Sequence, residues 1–142
     1  MSHDKLFSLD EANALIPQFT LAMEKMQRIS IVVREEIEAI AQERGEQTLQ
    51  EFSTQQLLRL KPSLGPLFEK VAQIVQEIEQ FGCHFKGLEL GLVDFPATLD
   101  EKVVYLCWQY GEEEIAFYHE TDEGFAGRRP LRARSTKPRY YQ

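Results

Sequence analysis

Cysteine is scarce in this chain: Cys83 and Cys107 are the only two among 142 residues, and they form no Cys-x-x-Cys pair. A disulfide framework is thereby excluded, and both side chains are expected as thiols in a reducing cytosol. There is no internal repeat, and no apolar run approaches the roughly 20 residues that a membrane span requires. The N-terminal Met-Ser-His-Asp-Lys-Leu lacks the apolar core of a targeting segment, so the expected location is cytoplasmic, with no membrane partner. The familiar metal signatures are missing too: there is no His-Glu-x-x-His, no histidine pair at helical spacing and no Asp-x-Asp-x-Asp-Gly loop. Acidic residues are absent from the last fifteen positions, which carry +6, whereas residues 1–127 carry −13. An acidic body disfavours general nucleic-acid binding, because phosphate neutralisation needs a basic face.

What is present is an ordinary soluble composition, 43% hydrophobic and 27% charged, on a chain of one-domain length. Ser8-Leu-Asp-Glu11 is a capping-box pattern that starts a helix. Pro17 lies too deep for the first turn, which predicts either a kink or a short helix over 9–15 followed by a second from near Pro17. The spacing of Phe19, Met23, Met26, Ser30, Val33, Ile37 and Ile40 then describes one long helix to about residue 44, before Gly45. Ser53 or Thr54 can cap a short helix to Lys61, which Pro62 ends. A further helix over about 63–81 carries the seam Leu64, Leu67, Val71, Ile74, Ile78 and Phe81, continued backwards by Leu57 and Leu60, and stops at Gly82. The helices at 17–44 and 63–81 are expected to pack as an antiparallel hairpin.

After Gly82 the period changes to that of strands. Cys83–Lys86, Leu90–Phe95, Lys102–Gln109 and Ile115–His119 predict an antiparallel meander over about 83–119, with Pro96-Ala-Thr-Leu-Asp100 joining its second pair. In the third strand Val103, Tyr105, Cys107 and Gln109 share one face, opposite to Val104, Leu106, Trp108 and Tyr110. The fold class is therefore α+β. Residues 1–131 are expected as a single domain with an irregular C-terminal loop, and 132–142 as a basic, flexible tail.

The chemistry-bearing residues crowd between Gly87 and Leu131. His119 ends a strand beside Glu120, Asp122 and Glu123; it is a candidate base, or with Glu120 and Asp122 a candidate metal ligand, further ligands having to come from Asp94, Cys83, His84 or Cys107 across the sheet. Asp94 on an otherwise apolar strand needs a partner; it is read as an acid in a cleft or as half of an ion pair with the loop arginines. In Gly124-Phe-Ala-Gly-Arg-Arg-Pro130 the two glycines permit positive φ and an amide nest, with Arg128 or Arg129 as a planar fork for an anion. The plainer reading makes this a tight turn in which Phe125 plugs the core and Arg128 pairs with Asp94 or Glu123. Trp108 is a core anchor or a stacking surface. Cys107 has no local base to activate its thiol.

Four stretches carry a family resemblance: Phe7-Ser-Leu-Asp-Glu-Ala-Asn-Ala-Leu-Ile-Pro17, Gly91-Leu-Val-Asp-Phe-Pro96, Val104-Tyr-Leu-Cys-Trp108 and Ile115 to Leu131. Over residues 6–131 the chain resembles the bacterial domain of unknown function 2203 family, which brings no activity with it. The chain departs from that pattern at Glu120, where a non-acidic residue is expected.

Three functions follow in order. The first is a homodimeric binding module whose Gly-Arg loop, with Arg128, Gly124, Gly127 and Trp108, takes a small anionic ligand, with no cofactor unless a divalent metal. The second is a metal-assisted or acid-base hydrolase using His119, Asp94 and Arg128, which requires the three to converge. The third is RNA contact through residues 132–142.

Overall fold

The computed structural model describes residues 5–45 and 52–131. Helix α1 (Leu9–Arg44) is followed by α2 (Thr54–Leu60) and α3 (Leu64–Glu79), then by strands β1 (His84–Phe85), β2 (Leu92–Leu99), β3 (Lys102–Gln109), β4 (Phe117–Glu120) and β5 (Arg129–Pro130). All neighbouring strands pair antiparallel in the order β1-β2-β3-β4-β5. The chain is thus α+β, helices first and a meander after. Among the described residues no helix is long and apolar enough to cross a membrane. The basic tail lies outside the described residues.

The helix starts follow the side chains that satisfy free amides. Ser8 Oγ accepts from the Glu11 amide at 3.0 Å and Glu11 Oε1 from the Ser8 amide at 2.9 Å, a complete capping box. Ser53 and Gln56 make the same reciprocal pair at α2. Pro17 does not divide α1, which runs unbroken over 36 residues. Proline removes only one amide, and the helix is held on both sides of it by the buried Ala12, Ile16, Phe19, Met23 and Met26.

The described residues fall into two compact units, one within residues 24–75 and one formed by residues 5–23 with 76–131. In the first, Ile40, Leu57 and Leu64 are buried, and Val33, Ile37, Phe52, Leu58, Leu67 and Phe68 pack on them. Leu60, expected on this seam, is instead exposed. In the second unit Phe95 takes the edge of Phe7 at 5.2 Å and stacks with Phe19 at 6.0 Å, so one sheet face meets the start of α1. That face carries Val93, Phe95, Ala97, Val104, Leu106 and Trp108, all buried, as the period of two requires.

Strand β2 extends beyond the expected Phe95 to Leu99, through Pro96. A proline is tolerated there because β1 pairs only with Val93 and Asp94, so no ladder partner waits for the missing amide. The carbonyl of Pro96 accepts from the Phe7 amide at 2.7 Å. The turn to β3 is then only Asp100-Glu101, both at positive φ (54° and 65°), the conformation that two-residue hairpins use. Strand β5 was expected as irregular loop; its two residues pair with Phe117 and Tyr118 of β4.

Candidate functional site

The second sheet face is polar, and register decides its membership. Asp94 stands opposite His84 on one side and Cys107 on the other, while Tyr105 stands opposite His119. Residues paired across a ladder share a face, as do residues two apart in a strand, so His84, Asp94, Tyr105, Cys107, Phe117 and His119 form one surface. Asp94 (3% exposed), Cys107 (1%) and His119 (2%) are buried within it. Tyr105 covers them from between two imidazoles, its ring 5.7 Å from His84 and 5.4 Å from His119.

Asp94 Oδ2 lies 3.0 Å from His119 Nε2, and His119 Nδ1 lies 2.8 Å from the backbone carbonyl of Glu120. A carbonyl only accepts, so Nδ1 carries a hydrogen. In a neutral ring Nε2 then presents its lone pair to a carboxylate oxygen. Two acceptors at that distance in a buried place need a proton or a metal cation between them. Cys107 completes the group: one ligand atom from each of Asp94, Cys107 and His119 lies within 4.8 Å of the others. Burial pushes the Cys107 thiol up to about 12, the neighbouring Asp94 carboxylate adding to the effect and Arg128 opposing it. A thiol so held is no free nucleophile, in line with the reading of its sequence neighbourhood.

The other candidates are placed differently. Glu120 follows His119 in β4 and therefore faces the opposite way; its carboxylate receives Lys102 at 2.7 Å and Arg129 at 3.2 Å, which holds its pKa below the ordinary carboxylate value. Asp122 lies in the turn after β4, outside the buried group. Cys83 is buried elsewhere, donating to the Ile78 carbonyl at 3.1 Å. Trp108 is fully buried on the apolar face, and its Nε1 donates to the Glu112 carbonyl at 2.8 Å.

The Gly-Arg loop is built as a 3-10 turn over Phe125–Gly127, and neither Gly124 nor Gly127 has positive φ. The amides of Gly127 and Arg128 donate to the carbonyls of Gly124 and Phe125, so they are spent inside the turn and form no nest. Arg128 pairs with neither Asp94 nor Glu123: its Nη2 reaches both oxygens of Glu112 at 2.9 Å and the Cys107 carbonyl at 3.2 Å. Its guanidinium lies over Phe117 at 4.1 Å and near Phe125 at 5.1 Å. Phe125 is 39% exposed and flanks the Arg128 guanidinium rather than plugging the core. Sequence reasoning missed Glu112, since three consecutive glutamates in a turn look like a solvated surface. Its Oε1 also accepts from the Gln109 amide at 2.8 Å.

His119 and Asp94 thus meet directly, with Cys107 beside them, while the charge of Arg128 is answered by Glu112. Such a group can hold a proton between two acceptors or coordinate a cation.

No curated protein and no solved structure matches the chain significantly. A family model does, over residues 5–131, and it spans the capping box, all five strands and the Asp94-Cys107-His119 group. By that match the chain belongs to the family of uncharacterized conserved proteins called DUF2203.

Proposed function

We propose that the protein is a metal-binding module whose ligands for a zinc-class divalent ion are Asp94, Cys107 and His119. The observation that supports this most is the facing of His119 Nε2 and Asp94 Oδ2 at 3.0 Å while Nδ1 is tied to a backbone carbonyl. A ligating histidine commonly has its second ring nitrogen fixed in this manner. Tetrahedral zinc with bonds of about 2.0–2.3 Å places its ligand atoms ~3.3–3.8 Å apart. The three atoms, none more than 4.8 Å from another, need only an inward adjustment of ~1 Å to reach that spacing. Thiolate with imidazole selects zinc-class ions over magnesium or calcium, which prefer oxygen alone.

The test is elemental analysis with native mass spectrometry on the full chain, followed by zinc titration of the chelator-stripped protein. One ion per chain is expected, with uptake abolished in Cys107→Ser and His119→Ala. Failure of the stripped wild-type protein to take up zinc at micromolar concentration would overturn the proposal. The hydrolase reading asks Arg128 to hold an anionic substrate, and the pairing with Glu112 leaves it little charge to offer. The anion-loop reading meets the same obstacle.

A second reading concerns assembly. Ile31 and Val32 of α1 are 55% and 44% exposed, apolar surface of the kind that a homodimer covers. Sedimentation at micromolar concentration that shows only monomer would remove it.

A further inference from the structure

Zinc held by three protein ligands has a fourth position to fill, either by a fourth side chain in a structural site or by water in a catalytic one. This question rests on the metal reading above, and the polar sheet face contains a residue that bears on it. His84 stands directly opposite Asp94 on edge strand β1, so the two side chains rise from neighbouring Cα positions on the same face. The His84 ring meets Tyr105 edge-on, and Tyr105 in turn packs on His119. The Nε2 atom of His84 is buried and has no hydrogen-bond partner among the described residues. A buried imidazole nitrogen without a partner is unusual, because water is lost and nothing replaces it. On the same sheet face as one oxygen, one nitrogen and one sulfur ligand of a zinc-class cation, the missing partner is chemically specified.

We infer that His84 Nε2 is the fourth protein ligand, making a closed Asp-Cys-His-His site; without the ion His84 lies outside the Asp94-Cys107-His119 group, with Tyr105 against both imidazoles, so on binding the His84 ring closes on the ion and the Tyr105 ring gives way. Cys83, next to His84 in sequence, takes no part, since its thiol is already bonded to the Ile78 carbonyl. A closed set of four ligands assigns the ion a structural role: it ties β1, β2, β3 and β4 together at one point and leaves no water for chemistry. The short β1, only two residues long, is the strand with most to gain from such a tie.

Cobalt(II) titration of the stripped full-length protein tests the inference separately from the reading beneath it. A sulfur-to-cobalt charge-transfer band reports Cys107 as ligand; intense visible ligand-field bands report four-coordination. Wild-type protein is expected to show both. His84→Ala is expected to keep the charge-transfer band, to lose much of the visible intensity as water enters, and to bind zinc more than tenfold more weakly. His84→Gln gives the same readout in a variant of closer volume should the alanine variant not fold. If either folded variant keeps the wild-type visible spectrum and zinc affinity, the fourth ligand is not His84, and the three-ligand site stands. If wild-type protein shows no charge-transfer band, the metal reading itself fails and this inference falls with it.

Discussion

Asp94 Oδ2 and His119 Nε2 lie 3.0 Å apart although the fixed tautomer of His119 points a lone pair at the carboxylate. Without a metal, only a proton between the two atoms resolves the conflict. Asp94→Asn supplies a neutral donor of the same shape, so its amide is expected to replace that proton within about 1 kcal/mol. Asp94→Ala leaves the buried imidazole nitrogen unpaired and is expected to cost about 2–3 kcal/mol. Urea melts of the two variants in the presence of chelator decide the matter; an asparagine variant as unstable as the alanine variant points to a charged pair. Both variants should lose zinc.

Arg128 and Glu112 form a two-oxygen contact, with side chains only 12% and 25% exposed. The guanidinium is planar, lies over Phe117 and also reaches the Cys107 carbonyl, so lysine cannot replace it. Arg128→Lys is expected to cost about 2 kcal/mol, and Glu112→Gln a similar amount. A double-mutant cycle by thermal or urea unfolding should return a coupling of at least ~1 kcal/mol. Additive effects would mean that the two groups act independently.

Burial pushes the thiols of Cys83 and Cys107 from 9.0 up to about 12. Between those values the unfolded chain releases protons that the folded chain keeps. The stability from the neutral thiols is therefore complete below pH 9 and is lost as pH rises toward 12. Unfolding free energy of the metal-free protein should fall across that window, and less steeply in Cys83→Ala relative to its own value at pH 8. At pH 8 a thiol reagent should label neither cysteine in native metal-free protein and both after denaturation. Zinc binding needs the thiolate, so it should release at least one proton per ion. Calorimetry in buffers of different ionisation enthalpy counts them.

Gly91 sits at φ +65°, and a Cβ there would come within 2.9 Å of Tyr110 Cβ. Gly111, at φ +104°, faces open space. Gly91→Ala therefore combines backbone strain with a clash and is expected to cost about 2–3 kcal/mol, against about 1–2 for Gly111→Ala. Equal melting temperatures for the two variants would contradict the packing part of this argument.

Local features were the legible ones. The Ser8-Glu11 capping box, the Ser53 cap, the long α1 seam and the alternation of β3 rest on neighbours within a few residues, and each is found as read. Pro17 shows the limit of a local rule, since packing of the flanking apolar residues carries the helix through it. The partner of Asp94 could not be read from charge alone. The arginines looked nearest, but His119 reaches Asp94 because β3 lies between their strands and the register places Tyr105 opposite His119. Cys107 and His84 were named as ligands only in a general way, for the same reason. The pairing of Arg128 with Glu112 depends on how the β3–β4 turn folds back beside the 3-10 turn, and no spacing rule encodes it.

Trp108 is the chain's single tryptophan, and it occupies the strand position next to Cys107 on the opposite face. Its indole is fully buried and its Nε1 is bonded to the Glu112 carbonyl. The protein thus contains an optical reporter one residue from the Asp94-Cys107-His119 group, reached through a single strand of backbone. Its emission should be blue-shifted in the native state and should redden on unfolding. A paramagnetic ion such as cobalt(II) bound across the strand should quench it, so metal occupancy can be followed by light without a label.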